Sequence, residues 1–140
     1  LLVDLCTRRI VGWAVSQRCD TELALEALRR AVARERPGPG LLHHTDRGST
    51  YTAHDYRGAL KAMGAVASMS RKGNCHGNAC TESFFHTLRT KLVYLTRYRT
   101  RATARRSPFE YIECYCNRIC LHSSLGYKSP CEYEKRTLAA

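Results

Sequence analysis

An α/β layered domain is the fold class that this sequence predicts, and three observations predict it. Short apolar runs rich in Val and Ile recur along the chain, segments of helical periodicity separate them, and the order reads β-β-α-β-α-β-α-α. With 140 residues, 44% of them hydrophobic, the chain has the size of one domain and can bury a core.

Each element has its own local signal. Residues 1–5 and 9–16 are β-rich runs parted by Cys-Thr-Arg, which fits a hairpin. The first run reads as a strand already under way, which predicts a chain that begins inside its domain. Asp20 is placed to cap a helix with Thr21 and Glu22 in its first turn. Leu23, Ala24, Ala27, Leu28 and Ala31 then recur at helical spacing, while Glu26, Arg29, Arg30 and Arg34 face out. Pro37-Gly38-Pro39-Gly40 stops that helix, Leu41 to His44 predicts a short buried strand, and Asp46 follows at once.

Thr52 to Asp55 has the form of a capping box, opening a helix with Tyr56, Leu60 and Met63 on its inner side. Gly64 ends it and residues 65–69 predict another strand. Residues 71–78 form a basic, Gly- and Asn-rich loop. A helix is expected from about Asn78, with Phe84, Phe85, Leu88 and Leu92 as its core stripe. Ser107-Pro108-Phe109-Glu110 carries a cap, a proline at the first helical position and an acid at the third, so a fresh helix is predicted from about 108 to 120 after a helical turn around 101–106. Ser129-Pro130-Cys131-Glu132 repeats that start signal for a short terminal helix.

Lys and Arg outnumber Asp and Glu by 23 to 12, a formal net charge of +11. An excess of that size in a small domain points to a polyanion, and nucleic acid is the first candidate. No run approaches the roughly 18 apolar residues of a membrane span, and no signal-peptide pattern opens the chain, which predicts a cytoplasmic protein. Eight cysteines stand at 6, 19, 75, 80, 114, 116, 120 and 131. Cys116 and Cys120 would share a helical face with His122 close by, a conceivable zinc site, although no Cys-x-x-Cys knuckle is present.

The chemistry centres on Asp46 and Glu82, two acids with 35 residues between them. One stands at the end of an apolar run and the other near the start of a helix. Carboxylates so placed can converge on a divalent cation, as in two-metal phosphoryl-transfer sites, which usually need a third acid. At helical spacing Asn78, Glu82, His86 and Arg89 fall on one polar stripe. That stripe reads equally as a solvated face or as the lip of a cleft.

Five motifs bear on the choice. They are Ile-Val-Gly-Trp-Ala (10–14), His-His-Thr-Asp-Arg-Gly-Ser-Thr-Tyr-Thr (43–52), Ser-Met-Ser-Arg-Lys-Gly-Asn-Cys (68–75), Asn-Ala-Cys-Thr-Glu-Ser-Phe-Phe-His-Thr-Leu-Arg (78–89) and Leu-His-Ser-Ser-Leu-Gly-Tyr-Lys-Ser-Pro (121–130). Together, in order and nearly end to end, they resemble the integrase-type catalytic core of IS3-family insertion-sequence transposases. The resemblance implies an RNase H-like mixed sheet flanked by helices, with its first strand missing from this chain. It also implies an Asp-Asp-Glu triad that binds Mg²⁺ (or Mn²⁺) and performs DNA strand cleavage and transfer. Asp46 matches the second acid and Glu82 the third, at the family's 35-residue spacing. The first acid falls outside the chain, and Asp4 matches a non-catalytic position before the hairpin turn.

On this resemblance residues 1–125 are a partial catalytic core and 126–140 a tail with a short helix. Arg71, Lys72, Arg89 and Lys91 are expected to hold DNA phosphates, with Asn78 and His86 beside them. The partners implied are DNA and either further copies of the chain or a companion transposase subunit. Gly77 stands where the family commonly has an Asp, Gly73 and Gly77 should leave their loop mobile, and Pro108 interrupts a helix that the family runs through. With the missing start, these departures resemble a truncated, decaying copy, expected to lack strand-transfer activity as it stands. Two other readings stay open: a nucleic-acid-binding remnant without chemistry, and a zinc-stabilised interaction domain.

Overall fold

The computed structural model of the chain describes residues 1–70 and 79–139. The α/β class holds, with smaller sheets than expected: β1 (Leu2–Val3) with β2 (Ile10–Gly12), and β3 (Leu42–Thr45) with β4 (Val66–Met69), each a two-stranded sheet. The chain divides into two compact units, one of Leu1–Leu2 with Val11–Glu82 and one of Val3–Ile10 with Ser83–Ala140.

In the first unit α1 (Thr21–Glu35) begins as its sequence predicts. Asp20 is extended and its Oδ1 accepts the Leu23 N–H at 3.0 Å. The helix ends at Arg36, before the Pro-Gly run, where a left-handed φ of 46° lets the Arg36 N–H close on the Val32 carbonyl. Glu22–Arg29 at 2.6 Å and Glu26–Arg30 at 2.8 Å decorate the outer face. Solvent screens such exposed pairs, so they contribute little. Leu25, Leu28, Tyr56 and Leu60 form the buried cluster. At about 25 cal/mol per Å² of apolar surface, this packing rather than the ion pairs holds α1 in place. Gly12 shows how closely β2 approaches: a Cβ there would collide with the Ala27 carbonyl oxygen and lie 2.6 Å from Ala31 Cβ.

β3 and β4 run parallel, Leu42 opposite Val66 and Thr45 opposite Met69. Parallel neighbours need a crossover, which α2 (Ser49–Thr52) and α3 (His54–Ala62) supply. Two expectations are corrected here. β3 starts one residue later than predicted and is not apolar inside: Leu41 and Leu42 are exposed, while His43 and Thr45 are buried. Successive side chains of a strand face opposite sides, so His43 and Thr45 share the buried face and Leu42 lies on the open one. The capping box also fails. Ala53 occupies the cap position of α3 with no side-chain bond, because Thr52 closes α2 instead, its hydroxyl turned back to the Gly48 and Ser49 carbonyls.

In the second unit the residues after Val3 turn sharply. Asp4 Oδ1 accepts the N–H groups of Cys6 at 2.7 Å and Thr7 at 3.0 Å, and Arg8 takes a left-handed φ of 61°. This Asx turn cuts the expected runs down to two short strands. The helix α4 (Ala79–Leu88) has no buried residue; Phe84, Leu88 and Leu92 are half-buried and Phe85 is exposed, a thinner stripe than predicted. From Arg89 to Val93 the helix widens into a π turn, closed by Tyr94 N–H on the Arg89 carbonyl. The predicted start at 108 is corrected too. α5 (Arg101–Phe109) begins at Thr100, whose side chain accepts from Thr103 N–H, and runs through Pro108. A proline ring in a helix crowds the carbonyl four residues back, and the turns beyond, Glu110–Cys116, are π-helical.

Asn117 organises this unit and is 1% exposed. Its Oδ1 accepts the Ile10 N–H at 2.9 Å, its Nδ2 donates to the Ile10 carbonyl at 3.0 Å, and its own carbonyl accepts the Cys131 N–H. One side-chain amide thus takes the place of a neighbouring strand for Ile10. Cys131 lies in α6 (Pro130–Ala139), where Ser129 Oγ accepts the Glu132 N–H as predicted. Glu134 of α6 receives Arg9 Nη1 at 2.7 and 2.9 Å in a largely buried pair.

Candidate active site

The C-terminal end of β3 delivers Asp46 one residue beyond the strand. The backbone there is fixed by a polar network that holds the two buried or half-buried histidines. His43 Nε2 meets Tyr56 Oη at 3.0 Å. His44 uses both ring nitrogens, Nδ1 with Ser68 Oγ at 3.0 Å and Nε2 with Ser70 Oγ at 3.4 Å. Ser70 also ties back through its N–H and hydroxyl to the Thr45 carbonyl. The strand that carries the acid is therefore latched to β4 and to α3 on both sides. Burial, and then the neighbouring His44, lower the His43 pKa below its ordinary value, so its ring is held neutral. Burial also pushes the Tyr56 phenol above its ordinary range, keeping it a hydrogen-bonding hydroxyl.

Asp46 itself is exposed, and its Oδ1 accepts the Gly48 N–H at 2.8 Å. That bond orients the carboxylate at the start of α2. A Cβ on Gly48 would fall 2.9 Å from the same oxygen, so the glycine permits the close approach. Tyr51 stands near enough that the Asp46 charge, after burial, raises its pKa, and its ring packs edge-on to Tyr56 at 5.3 Å. Tyr51, Tyr56 and His43 thus form a chain of ring contacts behind the Asp46 turn.

Glu82 lies in the first turn of α4, exposed and without a hydrogen bond or ion pair among the described residues. It belongs to the same unit as Asp46. Both acids offer hard carboxylate oxygen, the donor type that Mg²⁺ and Mn²⁺ take. Among the described residues no group of three or more His, Cys, Asp or Glu side chains is placed to hold a metal ion together. His86 and Arg89 are exposed on α4 and its π continuation, as the predicted stripe has them, and Lys91 is exposed in the π turn. Arg71, Lys72 and Asn78, like Gly73 and Gly77, lie outside the described residues. Asp4 is a turn former, as its two backbone bonds show.

Burial and then Cys120 push the Cys116 thiol up to about 12. Sequence reasoning passed over His43, His44, Ser68, Ser70 and Gly48. The apolar reading of residues 41–44 hid the histidines; strict alternation, with His43 and Thr45 on one face, was the signal that could have found them. No helix among the described residues is long and apolar enough to cross a membrane.

Comparison with known proteins bears on this geometry. Two family models, each described as integrase core domain, match residues 1–75 and residues 82–138. The transposase for insertion sequence element IS904 of Lactococcus lactis subsp. lactis (strain IL1403) is 45% identical over 133 residues, 95% of this chain and 53% of the relative. Transposase InsF for insertion sequence IS3A of Escherichia coli (strain K12) is 40% identical over 139 residues, 99% of this chain and 48% of the relative. The chain spans about half the length of the curated relatives that it matches.

Proposed function

The chain belongs to the integrase core domain family, that of insertion-sequence transposases, and from this premise we propose that it acts in DNA transposition through metal-dependent cleavage and transfer of DNA strands on an RNase H-like scaffold. The observation that carries the reading is Asp46: a carboxylate just past the carboxyl end of a parallel strand, where α/β sheets place their ligands, oriented by the Gly48 amide and followed 35 residues later by Glu82. Asp46 and Glu82 would hold Mg²⁺ or Mn²⁺ through hard oxygen donors. When bound, such a cation would supply Lewis acidity for an in-line displacement at phosphorus, toward both the attacking water or 3′-hydroxyl and the leaving oxygen.

The chain's own residues position and neutralise. The Gly48 amide keeps one Asp46 oxygen directed, and the latched histidines keep the strand end from moving. Arg89, Lys91 and His86, with Arg71, Lys72 and Asn78, are the groups that meet phosphate oxygens; guanidinium and ammonium do so through charge-assisted bonds. Two carboxylates make a weak site for Mg²⁺, which is commonly held by one or two acids together with substrate phosphates.

Water-proton relaxation with Mn²⁺ tests this site directly. The enhancement produced by the chain should fall in Asp46→Asn and in Glu82→Gln, and recover in part when duplex DNA is added to either variant. Enhancement unchanged in both variants places the metal elsewhere and removes the reading.

A further inference from the structure

We propose a second nucleic-acid contact on the exposed flank of α3: a phosphate-binding groove built by Arg57 and Lys61, with His54 at its mouth. It rests on the reading of DNA as partner but requires neither carboxylate nor metal. Tyr56 and Leu60 point α3 into the core, so residues 54, 57 and 61 line the outward stripe at helical spacing. These three side chains border a concavity of about 680 Å³, lined also by Thr52, Gly58, Leu60, Gly64, Ala65 and Ala67.

Three observations point to a polyanion there. The arginines of α1 and α6 are paired with acids, Arg29 with Glu22, Arg30 with Glu26 and Arg136 with Glu132. Arg57 and Lys61 have no carboxylate partner among the described residues. The neighbouring acid, Asp55, lies 3.6 Å from His54 Nδ1 instead. Second, four of the other lining residues are glycine or alanine, which leaves room for a sugar–phosphate chain to reach the helix. Third, Gly58 sits in the interior of α3, where glycine weakens a helix relative to alanine. Nothing in the fold demands it, since a Cβ at Gly58 meets no atom within 4 Å. The open space over Gly58 leaves the helix accessible beside two cations that have no carboxylate partner among the described residues.

The spacing suits a DNA strand. Residues 54 to 61 span roughly 10 Å of helix axis, about three nucleotide steps of a duplex. The occupant is therefore the phosphate backbone of DNA, read without base contacts.

Fluorescence anisotropy with a mixed-sequence duplex, in EDTA and over a series of salt concentrations, tests the groove. Arg57→Ala with Lys61→Ala should lower the slope of log affinity against log salt by about 2, about 1 per cation removed. Gly58→Glu should weaken binding at least tenfold, since it puts a carboxylate at the groove without a clash. Gly58→Ala should leave binding within twofold and keep the helix. A double variant with the parent's slope, or Gly58→Glu with the parent's affinity, overturns the groove while leaving DNA binding elsewhere intact. No binding by the parent chain at low salt overturns the DNA reading and the groove with it. Competition by polyglutamate as strong, charge for charge, as by duplex identifies an acidic protein segment as the occupant and overturns the assignment to DNA.

Discussion

The two acids at the centre of the proposed chemistry stand in opposite surroundings. Asp46 ends a strand latched by His43, His44, Ser68 and Ser70, and one of its oxygens is already bonded to the Gly48 amide. Glu82 stands exposed on a helix that buries none of its residues, with no partner among the described residues. One acid of the proposed site is held by a hydrogen bond, and the other has no such bond among the described residues. That division fits a weak metal site completed by substrate. In the proposed site a pre-oriented acid would limit the ordering cost.

The largest test of this contrast is structural. His43→Phe keeps an aromatic ring but leaves the buried Tyr56 hydroxyl without its partner, and a buried unsatisfied hydroxyl costs about 1–3 kcal/mol. Urea denaturation should show that loss, whereas Glu82→Gln should stay within about 0.5 kcal/mol, as exposed substitutions do. Equal losses at the two positions would break the comparison.

A smaller effect is expected from Gly48→Ala. Its φ of −59° suits alanine, so the cost falls on the crowded Asp46 oxygen rather than on the backbone. Mn²⁺ affinity should fall several-fold with stability nearly unchanged; an unchanged affinity would mean that Asp46 needs no orientation. The smallest effect is with pH. The folded His43 pKa lies below the ordinary 6.5, so the unfolded chain binds more protons between those two values. Stability is then full above about 6.5 and declines as pH falls through that window. In His43→Phe this part of the slope should disappear, and a slope identical to the parent's would assign it to another group, such as His122, whose pKa burial and then Arg8 also lower.

What was legible in the sequence is what neighbours decide. Asp20 and Ser129 cap their helices as expected, because a cap joins residues three positions apart. Amphipathic spacing located Tyr56 and Leu60 in the core for the same local reason. The motifs of residues 10–130 pointed to the family, since side-chain type at fixed spacing survives without knowledge of packing. Ser107-Pro108 misled because an equally local signal, Thr100 and Thr103, lay seven residues earlier and starts the helix first.

Tertiary structure alone decided the rest. Asn117 has nothing in its neighbours to mark it, and its partner Ile10 lies 107 residues away. His43 is buried only because Tyr56 is brought within 3.0 Å of it. The π turns at Arg89–Val93 and Glu110–Cys116 have no cap or periodicity to announce them. A buried polar side chain is stable where the folded chain supplies a partner. Partners gathered from distant segments leave no local trace, whereas caps and amphipathic stripes are made entirely of local ones.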